Sequence, residues 1–295
     1  METTVAAHAK INLVLRILAR EASGYHGIET LFQRLALHDI VRVRVADSAR
    51  ELHCHGPTMP SGGLGPVEQN LAWRAALAFC EAARWDTGFA IDVTKHIPVG
   101  GGLGGGSADA AAVLQALNAL CPAPLASGAL VELGGTLGAD VAFLASGAAR
   151  AWGWGRGDRL LSLPALPAMG VTLVAFTEGV NTGAAYGAFA RARESAQGNT
   201  AVPAHAFSVD ILQSWHGISH AVVNDFESVV PAMHAGVRVV LPEVRRCAAA
   251  LQAEGHVAAG FMSGSGATCC VLHPLDVAPT LHLPTDAQTV RTSTL

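Results

Sequence analysis

Alternating hydrophobic and polar residues predict the strands in the first hundred residues of the chain. Period-two alternation runs through AKINLVLRIL (9–18), DIVRVRVAD (39–47) and FAIDVTKHI (89–97), as in half-buried strands. The segment NLAWRAALAFCEAAR (70–84) has helical spacing instead, and Asn70 at its start is a candidate N-cap. The pattern therefore predicts a sheet with at least one helix packed against it.

Between residues 100 and 163 the pattern changes to helices separated by glycines. The apolar run predicts a helix from Ser107 to Leu120. The segment 127–147 predicts a helix, a glycine break and a short helix that begins near Asp140. Two short strands joined by a turn follow in 147–163.

The segment LPALPAMG (163–170) is rich in Pro and Gly and is the best candidate for a domain boundary. We therefore divide the chain into residues 1–163 and 164–295. For the second part, the pattern predicts a strand at 171–176, an irregular polar connection at 191–205 and helices at 219–230 and 242–255. It then predicts a strand, a glycine turn and a second strand over 256–272, and the last dozen residues are expected to be loosely held.

Composition and charge narrow the class of protein. The chain is 51% hydrophobic and 14% charged, which fits a globular protein with a sizeable core. A formal net charge of -4 without a basic stripe gives no support to nucleic-acid binding. The start METTVAAHAK lacks the apolar core of a signal peptide, and no segment reaches roughly 18 uninterrupted apolar residues, so we expect no membrane span. Six cysteines without a CxxC pair favour reduced thiols in the cytoplasm.

The densest chemical signal is a glycine run between a predicted strand and a predicted helix. Six of the seven residues from Gly100 to Gly106 are glycine, and Ser107 follows. Unpaired N–H groups at a helix start favour an anion, and glycines let phosphate oxygens approach the backbone. Ser107 can cap the helix or reach a phosphate or a metal ion. A polyphosphate site is the interpretation that these residues favour.

Of three other interpretations of the glycine run, the first is excluded and two stay open at this point. A Walker loop needs Lys-Ser/Thr after its last glycine, and this run has none. Gly100, Gly102 and Gly105 satisfy GxGxxG, the dinucleotide pattern, without a clear βαβ continuation. A glycine-rich turn without a ligand is the third interpretation, and it leaves the ordering of so many glycines unexplained.

The segment PVGGGLGGGSADAA resembles the phosphate loop of the GHMP small-molecule kinases. The segments A-K-x-N-L-x-L, GYH and TLFQ near the N-terminus narrow the resemblance to the GHMP kinases that act on a CDP-linked methylerythritol. Further matches lie at LGADVAFL, GVNT, ND-x-E (224–227) and MSGSGAT (262–268). The resemblance implies a two-domain α+β fold with ATP and substrate in the cleft between the domains. It also implies an ATP-dependent kinase that phosphorylates the 2-hydroxyl of the erythritol moiety in the non-mevalonate isoprenoid route.

The resemblance implies two catalytic residues, Lys10 and Asp140. Asp140 would accept the hydroxyl proton as a general base, and Lys10 beside it would keep that carboxylate ionised and steady the transferred phosphoryl group. The alternatives are a helix N-cap for Asp140 and a solvated strand residue for Lys10. The resemblance further predicts that the two side chains meet in space.

The resemblance also implies residues for both ligands. The candidates for ATP are Asn70, Lys95, Pro98, Val99, Gly100, Gly101, Gly102, Leu103, Gly104, Gly105, Gly106, Ser107 and Ala108. The candidates for the CDP-linked substrate are Asn12, Tyr25, His26, Phe32, Thr182 and Tyr186. Tyr25 and His26 match the segment that holds cytosine, and Tyr186 would close a sandwich around the base. Mg²⁺ is expected with ATP, but Ala108 replaces a second serine, and no protein ligand to the metal can be named.

The remaining signals carry less chemistry. SGSGAT (263–268) would line the cleft near the phosphates, and a helix cap is a strong alternative for Asn70. HCH at 53–55 begins a segment dense in Gly and Pro, 53–66, and is expected in an exposed loop rather than as a metal-ligand pair. Three other functions stay open: a homoserine or mevalonate-type kinase, a non-catalytic binding protein of the same fold, and a Rossmann dehydrogenase.

Overall fold

Two β-sheets with helices packed against them make up the part of the chain that a computed structural model describes, residues 1–20, 26–195 and 208–295. The strands are β1 (Glu2–Arg20), β2 (His26–Ala46), β3 (Arg50–His55), β4 (Gly88–Thr94), β5 (Arg150–Gly155), β6 (Arg159–Leu163), β7 (Gly170–Ala175), β8 (Val223–Asn224), β9 (Ala259–Met262), β10 (Cys269–His273) and β11 (Gln288–Ser293). The helices are α1 (Leu71–Ala82), α2 (Gly105–Leu120), α3 (Ser127–Leu137), α4 (Ala139–Ala145), α5 (Thr182–Ser195), α6 (Val209–Leu212), α7 (Trp215–Ala221), α8 (Val230–Met233) and α9 (Ala235–Ala253).

The first sheet has the order β3-β4-β2-β1-β8, and β5 and β6 extend it beside the first half of β2. The long antiparallel pair of β1 and β2 is its centre, and the alternation predicted for 39–47 is confirmed by buried Val41 and Val43 between exposed neighbours. Helices α1 and α2 cover the sheet with small buried residues, mostly alanines, so α2 lies close to β1. This packing brings the start of α2 next to Lys10.

The second sheet is antiparallel with the order β11-β7-β10-β9. Helix α9 packs on it through Val237, Val240, Leu241 and Val244, a helical spacing that places these side chains on one face. Only β8 of the first sheet comes from the part of the chain after residue 163. The proposed division at 163/164 falls between β6 and β7 and stays a prediction. No helix in the described ranges combines the length and hydropathy needed to span a bilayer.

Several predictions about individual segments are wrong. HCH at 53–55 lies on strand β3, because half-buried Leu52 and Cys54 alternate with exposed residues and pair β3 with β4. The last dozen residues are not loosely held, since β11 pairs with the fully buried β7 and Thr292 Oγ1 accepts a 2.8 Å hydrogen bond from Leu37 N. Backbone pairing of this kind does not require an apolar sequence.

Two further segments differ from the predictions. The polar stretch 191–205 is helical as far as Ser195, because α5 continues to that residue, and 196–207 lie outside the described residues. The predicted helix at 219–230 is interrupted by strand β8 and a 3-10 turn at Asp225–Ser228, where Asn224 Oδ1 accepts from Phe226 N. A short polar side chain that bonds to its own backbone favours such a break.

Candidate active site

A cavity of about 550 Å³ is lined by both glycine-rich segments of the chain. Its wall contains the segment 98–107, the ion-pairing side chains Lys10 and Asp140, the turn 264–266, and the aromatic ring of Tyr186. The cavity therefore brings together residues that are far apart in the sequence. Nearly all of the predicted site residues in the described ranges contribute to it.

The first glycine segment, 98–104, connects β4 to the N-terminus of α2. The helix begins at Gly105, and its N-cap is Gly104 in the left-handed conformation with φ 71°. Ser107 therefore lies in the first turn rather than at the cap, so the capping interpretation is wrong. The first N–H groups of α2 have no partner within the helix and, together with the helix dipole, they favour a negative charge at the cavity wall.

The second glycine turn, Gly264–Gly266, packs directly against the first segment. Thr268 N donates to Gly101 O at 3.2 Å, and Ser263 Oγ donates to Gly102 O at 3.2 Å. A Cβ atom on Gly102 would lie 2.4 Å from Ser263 O, so only glycine fits at this contact. The two segments thus meet backbone to backbone.

Lys10 and Asp140 meet at the end of the first glycine segment, as predicted. Lys10 Nζ lies 3.2 Å from Asp140 Oδ2 and donates to Asn12 Oδ1 at 2.7 Å and to Gly102 O at 3.0 Å. Lys10 is 3% exposed, which excludes the solvated-strand alternative. Asp140 is the second residue of α4, whose N-cap is Gly138, so it is not a capping aspartate. Its carboxylate is 33% exposed and faces the cavity beside the ammonium.

The residues predicted to bind ATP lie in different environments. The residues Pro98 to Ser107 line the cavity. Ala108 does not, because it is 1% exposed and faces the small alanine-lined space against β1 on the other side of α2. Asn70 lines the cavity and also caps α1, with Oδ1 accepting from Ala72 N at 2.9 Å. The cap and the ligand interpretation of Asn70 are thus compatible.

Lys95 is buried beneath the glycine segment, and its ammonium is held by two carboxylates. Lys95 Nζ donates to Asp39 Oδ2 and, at 2.6 Å, to Asp109 Oδ2. Burial, with the nearby Asp39 carboxylate, raises the pKa of Asp109 to about 7 despite the attraction of Lys95. Neither aspartate was among the predicted site residues. An aspartate within the alanine-rich buried face of α2 is the sequence signal that marks Asp109.

Tyr186 and Phe226 line the cavity and belong to a cluster of aromatic rings, whereas the predicted substrate residue His26 packs behind them and does not line the cavity. The imidazole of His26 lies on the ring of Tyr186 with centroids 5.2 Å apart and an interplanar angle of 16°, and Phe226 meets Tyr186 edge-on at 4.9 Å. Burial, with a smaller effect of Asp140, raises the pKa of Tyr186 to about 12, so its phenol is neutral. Tyr25, the proposed second face of the sandwich, lies outside the described residues.

The other substrate-side candidates also line the cavity, but their polar atoms or rings already have partners. Asn12 is 3% exposed, accepts from Lys10 and donates to Thr30 Oγ1 at 2.8 Å. Phe32 stacks on Phe143 at 4.7 Å. Thr182 Oγ1 lies 2.8 Å from Ser265 Oγ and joins α5 to the second glycine turn. Asn12 is therefore placed to orient Lys10, and its contact with substrate stays a prediction.

The motif ND-x-E, for which no role was predicted, supports the second glycine turn. Asn224 Nδ2 donates to Met262 O at 2.7 Å and to Gly264 O at 2.8 Å. Glu227 Oε1 accepts from Met262 N at 2.7 Å, and burial raises the pKa of this carboxyl. These side chains fix the C-terminal end of β9 and the turn that follows it.

Away from the cavity, one group of three metal-ligating side chains occurs among the described residues. The donor atoms of His53, His55 and Asp92 lie within 4.8 Å of one another on the outer face of β3 and β4. His55 also lies 3.1 Å from Thr94 Oγ1. These three side chains do not line the cavity.

Protein-family models and curated sequences match the chain. The model of the GHMP kinases N terminal domain matches residues 70–149, and that of the GHMP kinases C terminal matches residues 218–281. The 4-diphosphocytidyl-2-C-methyl-D-erythritol kinase of Moorella thermoacetica is 37% identical over 89% of this chain and 87% of its own length. That of Desulfitobacterium hafniense is 43% identical over 62% of this chain and 60% of its own length.

Solved structures match over the whole chain. A 4-(cytidine 5'-diphospho)-2C-methyl-D-erythritol kinase has 29% sequence identity and a TM-score of 0.71, with 99% of both chains covered. A homoserine kinase from Cytophaga hutchinsonii has 16% identity and a TM-score of 0.60 over 100% of this chain and 94% of its own, a likeness of fold alone.

Proposed function

Since the chain belongs to the 4-diphosphocytidyl-2-C-methyl-D-erythritol kinase family of the GHMP kinases, we propose that Lys10 and Asp140 transfer phosphate from ATP to the 2-hydroxyl of that family's substrate. GHMP kinases take ATP as phosphate donor, and the product would enter the non-mevalonate route to isoprenoids. The cytoplasm stays the proposed location, on the sequence argument from the cysteines.

The observation that carries the proposal is the ion pair of Lys10 and Asp140 at 3.2 Å beside the glycine segment. A Cβ atom on Gly104 would lie 3.0 Å from Lys10 Cε and 3.6 Å from Asp140 Oδ2, so the segment passes directly over the pair. An anion held by the N–H groups of the segment would therefore have both groups at its edge. A base and a cation at this point are what phosphoryl transfer to an alcohol requires.

The step follows from this arrangement. The Asp140 carboxylate accepts the proton of the 2-hydroxyl, whose oxygen forms the new bond to the γ-phosphorus while the bond to the bridging oxygen breaks and ADP leaves. Lys10 holds Asp140 ionised and oriented, and its ammonium stabilises charge that develops on the phosphoryl oxygens. Asn12 and Gly102 O hold the ammonium in this position.

The donor set near the phosphates fits Mg²⁺. Ser107 lines the cavity in the first turn of α2 and offers a hydroxyl oxygen, the type of ligand that Mg²⁺ prefers beside nucleotide phosphates. Asp109 lines the cavity as well, but its Oδ2 is bound by Lys95, and only its buried Oδ1, which has no hydrogen-bond partner, is available. We propose that Ser107 and the phosphates hold Mg²⁺, which would neutralise charge on the transferred group.

The aromatic stack supports a pyrimidine ligand. The Tyr186 ring stacks with His26 and packs against Phe226 in a T-shaped arrangement, and Tyr186 and Phe226 give the cavity a packed aromatic surface. Flat aromatic surfaces of this kind bind bases by stacking. The roles of Tyr25, His26 and Tyr186 toward cytosine remain part of the proposal.

The test measures ADP release with Mg-ATP and four acceptor conditions: the CDP-linked methylerythritol, homoserine, mevalonate and none. Asp140→Asn is compared with Asp158→Asn, which removes an exposed carboxylate outside the cavity. We expect turnover only with the cytidine-bearing acceptor. Asp140→Asn should lower kcat by about 10²–10⁴-fold while ATP still binds, since a general base contributes about that much.

Other outcomes would contradict parts of the proposal. Turnover with homoserine or mevalonate would contradict the role of the aromatic stack. ATP binding without turnover for any acceptor would support a non-catalytic binding protein. Equal activity of the two variants would remove Asp140 from the chemistry.

A further inference from the structure

Three charged side chains are buried directly beneath the first glycine segment. Lys95 is 2% exposed, Asp39 0% and Asp109 5%. They come from three separate parts of the chain: Lys95 directly follows β4, Asp39 lies in β2, and Asp109 lies in the second turn of α2. Burying charges costs free energy unless they are well paired, so such a group calls for a physical explanation.

The Asp39 carboxylate holds the chain where it enters the glycine segment. Oδ1 accepts from His96 N at 2.5 Å and from Ile97 N at 2.8 Å, and Oδ2 accepts from Lys95 Nζ. Backbone N–H groups and an ammonium thus share one carboxylate. The last residues before Pro98 are fixed to β2 by these bonds.

The Asp109 carboxylate holds the chain where it leaves the glycine segment. It accepts from Lys95 Nζ at 2.6 Å through Oδ2, and a Cβ atom on Gly105 would lie 3.6 Å from the same nitrogen. Lys95 therefore lies under the first turn of α2. A continuous path of polar bonds connects β2, through Lys95, to the helix.

We propose that Asp39, Lys95 and Asp109 form a clamp that fixes both ends of the glycine segment, and that Asp109 is a positioning residue for ATP. This inference rests on the proposed function and deepens it. The segment 98–104 contains four glycines, which lose much conformational entropy when they are ordered. An anion site made of N–H groups works only if those groups are already aimed at one point, and the clamp supplies that order.

The contacts favour this indirect role of Lys95 over direct contact with phosphate. Lys95 also lines the cavity, but two of its three N–H groups are used by the carboxyl groups of Asp39 and Asp109. Lys10 has a single carboxylate partner, Asp140, which is partly exposed, so Lys10 has more positive charge to offer a phosphate. Lys95 thus acts through the position of the loop.

The test compares two variants of one residue in the full-length protein. Asp109→Asn and Asp109→Ala remove the same charge, and both leave Lys95 paired with Asp39, so neither leaves an unpaired buried charge. Only the asparagine retains an oxygen that can accept from Lys95. The measurements are Kd for ATP without acceptor, kcat and KM for ATP with acceptor, and amide hydrogen exchange in residues 96–107.

We expect Asp109→Ala to raise Kd and KM for ATP by about tenfold or more, because a charge-assisted hydrogen bond is worth at least about that factor. Its kcat should change less, and exchange in 96–107 should become faster. Asp109→Asn should stay within about threefold of the wild type. Asp39→Asn cannot accept from all three donors of Asp39, which are His96 N, Ile97 N and Lys95 Nζ. This variant should therefore loosen the glycine segment at its N-terminal end.

Equal Kd and KM values for ATP in Asp109→Asn and Asp109→Ala would overturn the clamp. The negative charge of Asp109, and not its hydrogen bond to Lys95, would then be what matters. Unchanged exchange in 96–107 for Asp109→Ala and Asp39→Asn would overturn it as well. Absence of turnover in the wild type, with ATP binding and exchange as expected, would contradict the proposed function and leave the clamp standing.

Discussion

The contact of the two glycine segments at Gly102 gives a sharp prediction for the variant Gly102→Ala. Gly102 has φ 77°, and a Cβ atom there would lie 2.4 Å from Ser263 O and 3.1 Å from Gly266 O. Both obstacles are backbone atoms, which cannot rotate away as a side chain can. The added methyl group must therefore push the two segments apart.

The structure gives the order of magnitude of the effect. The left-handed conformation costs a residue with a Cβ about 1–2 kcal/mol, and overpacking costs about 1–3 kcal/mol more if nothing moves. Relaxation would move Gly102 O, which accepts from Lys10 Nζ at 3.0 Å. A displacement on the order of 1 Å at a reacting group lowers activity by about 10²-fold. We expect a loss of that size in kcat/KM.

The matched control is Gly147→Ala. Gly147 has the same φ of 77°, but no atom lies within 4 Å of the added Cβ, and it is outside the cavity wall. Both variants then share the conformational cost, and only Gly102→Ala has the collision. Steady-state kinetics and thermal unfolding are measured for both. If Gly102→Ala retained the kcat/KM of Gly147→Ala, the contact between the segments would not control the position of Lys10.

Two further predictions concern buried polar groups. Asn224→Ala removes the side-chain donor of Met262 O and of Gly264 O. Urea unfolding should therefore show a loss of about 2–4 kcal/mol in the free energy of unfolding, together with a lower kcat/KM. The control Asn118→Ala removes two hydrogen bonds to a loop outside the cavity and should lower the stability without changing KM. The raised pKa of Asp109, about 7, means that the folded protein binds its proton more tightly than the unfolded chain. Binding of this proton stabilises the folded protein fully below about pH 4, and the stabilisation is lost as the pH rises to about 7. It amounts to on the order of 1.4 kcal/mol for each unit by which the pKa of Asp109 differs between the folded and unfolded protein. Asp109→Asn should therefore gain stability over the wild type between pH 5 and pH 8, and a constant difference would contradict the assignment.

The sequence allowed most of the fold to be predicted where periodicity is clear. Helix α1 and strand β4 follow from the regular spacing of apolar residues, and Asn70 caps α1 as expected. The predicted strands 9–18 and 171–176 lie in β1 and β7 but are buried at nearly every position, and the predicted helix 242–255 is the second half of α9. Predictions failed where backbone pairing rather than apolar burial decides the structure. Strand β11 has an exposed polar sequence and is held by the edge of β7, a partner that local patterns do not reveal.

The candidate site shows the same division. The glycine segment was visible in the residues, and its phosphate ligand stays a prediction. The pairing of Lys10 with Asp140 followed from the resemblance and is confirmed by the geometry. The partners of Lys95 were not predictable, because Asp39 lies 56 positions away on another strand. Their proximity depends on the register of β2 with β4, which sequence patterns leave undetermined.

The backbone contact between the glycine segments also bears on drug resistance. A compound that binds the main-chain groups along this contact would not depend on side chains that mutation can exchange. At Gly101 and Gly102, any added Cβ would lie 2.5 Å or less from Thr268 Oγ1 or Ser263 O. A substitution that expelled the compound would then also distort the proposed ATP site, so resistance substitutions should arise elsewhere, on the aromatic side of the cavity around Tyr186.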